Sequence, residues 1–594
     1  MKISNKLYFA SAAFMLVLIS SGCSKKLQEH PYTVFTVDYF KSPTGLQSAV
    51  NALYSGMRFN YGPEGAVGIT CDGTDEWTYA DQPRTGAGGT ADYLTLGNYT
   101  LDASNGAILT PWNRNYSNIN LANAVVDFAP GVNMDSTLRN TIVAQARFLR
   151  GLYYLLLVEQ FGAVPLDLGS GDLHFNSKPY QGFNRLPTAD LLVKDYQAMI
   201  NDFTYATQYL PDQRPANAFV LSKAAAYLML ARTYIFRGYS AAKQSSDFQN
   251  AYNAAMEVIN NQAKYGTSLL QNFADVNKQG NEYNPEILYS VERIPGDNND
   301  NEVGNPSSIG GGKGVDASND FTPDYTSVKS PTASSSTAPC ATRTQLYGRP
   351  IRRFCPTAWL YNVAFADKYN DSRYDGSFRT VWLATQAGGG FNVGDTAFVL
   401  AYTNAMADSM NAIPKPYRVI APREFYIIGG TTTQNIYPSL SKYEDSKKQQ
   451  ANDQGGRPFP VAKLSEMYLL AAEAAFQIGN INQAVTLLNV IRERAAYRPG
   501  LSASDLATRV AAMDINASQV TLDFILDERT RELCGESLRW PDLAMRGKLI
   551  ERVKLYNPDG AAKIQPFHSL RPIPQSQLNA TADNNRAQYQ NPGY

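Results

Sequence analysis

Between residues 461 and 497 the apolar side chains fall on two successive helical stripes, and no other stretch constrains the fold as tightly. Leu464, Met467, Tyr468, Ala471, Ala474 and Ile478 recur at three-to-four spacing, Gly479-Asn480 interrupts them, and Ile481, Ala484, Leu488 and Ile491 resume the pattern. An apolar stripe of that period predicts an amphipathic helix, and a glycine at its end predicts a stop. Two helices joined by so short a break lie side by side. The alanines let the backbones approach closely, and Tyr468 and Leu488 fill the gaps.

The same pattern recurs upstream. Val143, Ala146, Leu149, Tyr153 and Leu156 stripe 136–161 before Phe161-Gly162. Leu191, Leu192, Tyr196 and Met199 stripe 187–206, Ala224, Ala225, Leu228, Ala231 and Ile235 stripe 217–237, and Ala251, Ala254, Ala255, Val258 and Ile259 stripe 246–262. Helix pairs of this kind resemble degenerate tetratricopeptide repeats, which stack because each buries its face against the next. The expected fold class is mainly α: a tetratricopeptide-like scaffold with long irregular loops and a few short strands. Repeats are expected within 35–59, 111–262 and 461–550. Two regions do not fit the pattern. Residues 60–110 are Gly-rich and polar with Trp77, Tyr79, Tyr93 and Tyr99, and 280–460 form a long insertion with strand-like runs at 284–291, 398–402 and 425–428. A rigid scaffold carrying long polar-aromatic loops is a binding architecture.

The N-terminus reads as an address. Lys2 and Lys6 precede a 13-residue apolar run, Leu7 to Ile19, followed by Ser20, Ser21, Gly22 and Cys23. The run falls short of the ~20 residues of a spanning helix and has the length and flanks of a secretory leader. Small residues directly before a cysteine fit a lipobox, although Ser20 stands where Leu is usual. The expectation is a leader at 1–22, lipid on Cys23, a polar tether at 23–34 and a body at 35–594. Several acyl chains on one cysteine anchor stably, at ~0.8 kcal/mol per buried CH₂.

Charge excludes one class of partner. Basic and acidic residues are equal at 53 each, so nothing points to nucleic acid. The 37 tyrosines, with abundant Asn, Gly and Ser, suit a surface for uncharged polar ligands and equally suit an ordinary secreted surface. Beyond Cys23 stand Cys71, Cys340, Cys355 and Cys534; an oxidising compartment allows a local bridge between Cys340 and Cys355. With three histidines (His30, His174, His568) and no Cys-x-x-Cys, no metal site is expected. Gly310-Gly-Gly-Lys-Gly314 lacks the spacing and the Ser or Thr of a phosphate loop. No cofactor is expected.

Several blocks together resemble the SusD/RagB family of outer-membrane nutrient-binding lipoproteins of Bacteroidetes. They are Ala49-Val-Asn-Ala-Leu-Tyr54, Ala144-Gln-Ala-Arg-Phe-Leu-Arg150, Phe161-Gly-Ala-Val-Pro-Leu166, Glu466-Met-Tyr-Leu-Leu-Ala-Ala-Glu473, Ile525-Leu-Asp-Glu-Arg529 with Arg539-Trp540 and Asp542-Leu543, and the ending Gln590-Asn-Pro-Gly-Tyr594. The resemblance implies a SusD-like fold with no enzymatic activity. It implies a place on the outer membrane, facing outward, as a lid over a SusC-like TonB-dependent transporter. The ligand would be an oligosaccharide or, in some branches, a peptide. A glycan-cleaving enzyme would instead need two carboxyl groups across a cleft at ~5–9.5 Å.

Glu528, Arg529, Glu532 and Arg539 read as salt-bridged packing from their helical spacing, as do Glu473, Arg492 and Arg494. Trp112, Trp359 and Trp540 read as core. The expected ligand contacts are loop residues, because an aromatic ring stacks on the C–H face of a sugar while polar side chains bind its rim. Asp75, Trp77, Tyr79 and Arg84 supply both elements within ten residues, in a loop that resembles by position part of the sugar site of starch-binding members. Phe321, Tyr325 and Tyr347 lie in the second variable region (280–460), with Trp382 and Phe391 as lesser candidates; the first variable region is 60–110.

Overall fold

The computed structural model describes residues 37–80, 91–166, 173–177, 189–293, 314–331, 338–425, 436–581 and 585–594. The leader, Cys23, the tether, Arg84 and residues 426–428 lie outside these. Helices form where the stripes predict them. In chain order the main ones are α1 (Pro43–Gly56), α2 (Glu64–Cys71), α3 (Ala91–Gly97), α4 (Gly106–Phe128), α5 (Ser136–Phe161), α6 (Ala189–Tyr209), α7 (Lys223–Tyr239) and α8 (Asp247–Asn260). After a long interval come α9 (Leu464–Gln477), α10 (Ile481–Ala495), α11 (Leu522–Leu533), α12 (Arg539–Met545) and α13 (Leu549–Tyr556).

Each of α4 to α10 packs against the next. The stack is therefore continuous in space, although the chain leaves it between α8 and α9. Close approach is built in: a Cβ at Gly151 of α5 would come within 3.0 Å of the Phe203 ring of α6. The predicted break at Gly479 is a left-handed turn, φ +82°, which glycine adopts without steric cost. Asn480 then caps α10 by accepting the Gln483 amide. By length and composition α5 passes for a membrane span, yet 83% of its most apolar window is buried in the protein.

The strands are β1 (Trp77–Tyr79), β2 (Ile287–Val291), β3 (Phe354–Pro356), β4 (Phe378–Arg379), β5 (Val381–Leu383), β6 (Thr396–Leu400), β7 (Arg418–Ile420), β8 (Ser439–Leu440) and β9 (Phe459–Lys463). The entry strand of the insertion, β2, pairs antiparallel with its exit strand, β9. The insertion thus leaves and rejoins the stack at one place. β1 pairs with β3, β4 with β8, and β5, β6 and β7 form a three-stranded sheet.

The C-terminal helices are tied to the stack by buried ion pairs. Arg232 of α7 grips Glu466 of α9, Arg529 of α11 bridges Glu466 and Asp542, and Arg546 joins Asp542 to Glu473. Glu528 and Glu532 meet Arg373, Arg492, Arg494 and Arg531. The structural reading of these motifs holds, and Trp112, Trp359 and Trp540 are core. The Cys340–Cys355 bridge does not form. Cys355 lies on β3, packed with Ala80 and Tyr437, whereas the Cys340 thiol donates to the Leu383 carbonyl at 3.2 Å in another part of the core. Fifteen residues of spacing had set no geometry.

Candidate functional site

The predicted ligand contacts gather into two aromatic clusters, and both are interior. Asp75 is wholly buried before β1. Its carboxylate accepts from Arg539 Nε and Nη2 at 2.7 and 2.6 Å and from Arg552 Nε at 2.5 Å. Burial alone would raise its pKa; the two guanidinium groups outweigh that and hold it below the usual value. Trp77 packs edge-on against Phe321 at 4.5 Å, and Phe321 in turn meets Phe354. Tyr79, on the same strand, is 2% exposed.

In the second cluster Tyr325 stacks on Trp382 at 4.8 Å, Tyr347 meets both rings, and Trp382 stacks on Phe398 of β6. The alternation of β5 explains the burial: Trp382 turns inward while Val381 and Leu383 face out, 43% and 41% exposed. The Tyr347 hydroxyl accepts the Leu383 amide at 2.9 Å and so closes the sheet edge at that residue. Phe391 is also buried. Burial closes Asp75, Trp77, Tyr79, Phe321, Tyr325, Tyr347, Trp382 and Phe391 to direct ligand contact. The insertion needs a core of its own, and these rings supply it.

An accessible cleft of about 360 Å³ lies instead where α2, α3 and the first turns of α4 converge. Its floor is apolar, with Pro63, Ala66, Ile69 and Ala107, and two half-buried rings, Phe59 and Tyr93, stand on its walls. Glycine makes the room. A Cβ at Gly68 would come within 3.0 Å of the Tyr93 ring, and one at Gly65 would meet only the Tyr93 hydroxyl, at 3.6 Å.

Polar groups converge on the same space. Asp92 Oδ2 accepts the Gly106 amide at 3.2 Å, and Asn105 caps α4 by accepting the Ala107 amide at 2.8 Å. Pro111 lies inside α4 and has no N–H, so the Ala107 carbonyl lacks its helical donor. Arg114 is exposed, and its guanidinium covers Phe59 at 3.8 Å. Beneath the cleft Arg353 pairs with Glu64 and lies 5.6 Å from the Tyr93 ring. Burial first, then the charges of Glu64, Asp320 and Asp316, hold the Tyr93 phenol above its usual pKa, so it stays a neutral donor.

Apolar rings with a few converging donors and acceptors are what a small polar ligand requires. Two further depressions, about 530 and 550 Å³, share Asp275, Lys278 and Gln279. Arg379, Arg457, Lys442 and Asp375 on their walls are already paired with Glu444, Glu282, Glu536 and Arg498. In the cleft at α4 the Arg114 guanidinium is left without a carboxylate partner among the described residues, and sequence reasoning missed this cleft. Only Tyr93 was noted, as one ring of a polar-aromatic region. The signals present were Gly65 and Gly68 three apart on a short helix and a proline inside a long one.

This helical stack with a few short strands is the SusD-like fold. A laminarin-binding SusD-like protein superposes with TM-score 0.66 at 21% identity, over 93% of this chain and 100% of its own. The surface glycan-binding protein A of Bacteroides thetaiotaomicron, in complex with laminarihexaose, gives 0.63 at 19% identity, over 93% and 99%. SusD-like protein P2 of Formosa agariphila is 27% identical over 98% of both chains. Residues 315–594 match the SusD family, and residues 81–235 match a SusD-like family described as starch-binding and associating with the outer membrane. The chain belongs to the SusD/RagB family.

Proposed function

We propose that this protein captures oligosaccharides at the cell surface and delivers them to a SusC-like TonB-dependent outer-membrane transporter, without chemistry of its own. The leader at 1–22 would be removed and Cys23 lipidated, with 23–34 as the tether that lets the body (35–594) move over the barrel. The cleft among α2, α3 and α4 carries this reading: the Tyr93 ring, and Arg114 lying over Phe59, beside Asp92 and the first turn of α4. The laminarin-binding and laminarihexaose-bound relatives support a glycan as the ligand class.

Calorimetric titration against a panel of oligosaccharides tests the proposal. At least one glycan should release heat. Gly65→Trp, which fills the cleft from α2 with little to collide with, should weaken that binding by at least ~10-fold while leaving the melting temperature nearly unchanged. Heat with peptides and with no glycan would favour the peptide-binding branch of the family. Release of product from a labelled oligosaccharide would instead revive an enzymatic reading.

A further inference from the structure

Among the described residues, the cleft holds one charge without a counter-charge. Asp92 is answered locally: it accepts the Gly106 amide at the first turn of α4, the positive end of a 23-residue helix. Below Tyr93 the acids Glu64, Asp316 and Asp320 are opposed by Arg353, which pairs with Glu64, and by Arg293. Burial also pushes Asp316 up to about 6, which lowers its mean charge near neutral pH. Arg114 has no such answer. Its guanidinium lies 3.8 Å from the Phe59 ring, and no carboxylate among the described residues pairs with it.

A guanidinium held over a ring is partly pre-organised, and its N–H fork matches the two oxygens of a carboxylate or a sulfate ester. The same cleft offers acceptors for hydroxyl groups and a ring wall for a sugar face. We infer that the ligand is an oligosaccharide bearing an anionic group, which Arg114 engages at the mouth of the cleft. The inference rests on the cleft being the glycan site.

The experiment titrates the intact protein with three probes of matched length: laminarihexaose, a hexauronate and a sulfated hexasaccharide, each at low and high salt. At low salt at least one anionic probe should bind about tenfold or more tightly than the neutral one, the effect of a single charge-assisted pair. Salt should shrink that preference. Arg114→Ala should bring anionic and neutral probes to parity. Arg114→Lys should retain part of the preference, since it keeps the charge and loses the fork. Which anionic probe wins identifies the group.

Equal binding of neutral and anionic probes by the wild type overturns the inference, as does an anionic preference that survives Arg114→Ala. If neutral and anionic probes bind equally and Gly65→Trp blocks both, the cleft reading stands while the charge reading falls. Binding by any probe that ignores Gly65→Trp, or no binding at all, removes the cleft reading and the inference together.

Discussion

Replacing Asp75 with alanine should destabilise the protein by about 3–5 kcal/mol, because it strands two buried guanidinium groups. Arg539 and Arg552 are each 3% exposed, and Asp75 takes hydrogen bonds from both. Arg552 would keep Asp527 and Asp523, and Arg539 the Leu526 carbonyl and Glu76 at 3.5 Å. Neither set replaces the lost carboxylate. Urea unfolding followed by circular dichroism should show an earlier midpoint with an unchanged slope. Arg539→Met in the Asp75→Ala background should restore part of the loss, since it removes one stranded charge. A ligand-contact role for Asp75 predicts the opposite: normal stability and lost binding. The pH dependence has a definite sign. The folded carboxyl is held below its usual value, so its contribution is complete above the unfolded pKa, ~3.9, and fades as pH falls below it.

The helices were legible because their signal is local. A 3.6-residue stripe, a capping Asn480 and a breaking Gly479 each act within one or two turns, and the stack follows from them. The motif acids and bases at 466–473 and 525–546 were legible for a related reason: helical spacing places them on faces that meet other helices. The insertion was not legible in the same way. β1 pairs with a strand beyond residue 350, and β2 pairs with a strand beyond 455, so no local window contains either partner.

That long-range pairing decides which rings are core. Trp77 and Trp382 look like loop aromatics along the sequence; strand pairing turns one against Phe321 and the other against Tyr325. Residue type fits both fates, since a ring that would stack on a sugar also packs well against another ring. The cleft was hidden for a different reason. Its walls come from Phe59, Tyr93 and Arg114 on three separate segments, and its volume depends on side chains that glycine lacks. What marks Arg114 is that no carboxylate among the described residues pairs with it, which only a three-dimensional inventory reveals.

Glu159→Gln should raise stability at about pH 8.5 by on the order of 2–4 kcal/mol and leave it nearly unchanged at about pH 4.5. Glu159 lies on α5, 4% exposed. It faces Arg232 from α7, Glu466 from α9, Asp542 and Arg546 from the α12 region, and the phenols of Tyr61 and Tyr196. The guanidinium groups of Arg232, Arg529 and Arg546 already pair with Glu466, Asp542 and Glu473, three charges against three. A fourth carboxylate would add a buried charge with no counter-ion, and burial accordingly pushes Glu159 up to about 8. Below pH 4.5 the folded and unfolded chains both hold this proton. Between 4.5 and about 8 the unfolded chain has released it and the folded chain has not, so stability falls as pH rises, by up to ~1.4 kcal/mol per unit. Glutamine has the same shape and no proton to lose, so the variant should escape that decline. Glu76, pushed up to about 7 chiefly by burial, has the same sign and stays in place. Asp72 and Asp316, also raised by burial, stay in place in both proteins too, so the difference between the two curves isolates Glu159 and should open between about pH 4.5 and 8. Denaturation midpoints measured across this range for both proteins decide the matter; parallel curves would mean that Glu159 is ionised in the fold and that the ion-pair chain has a counter-charge beyond these three arginines.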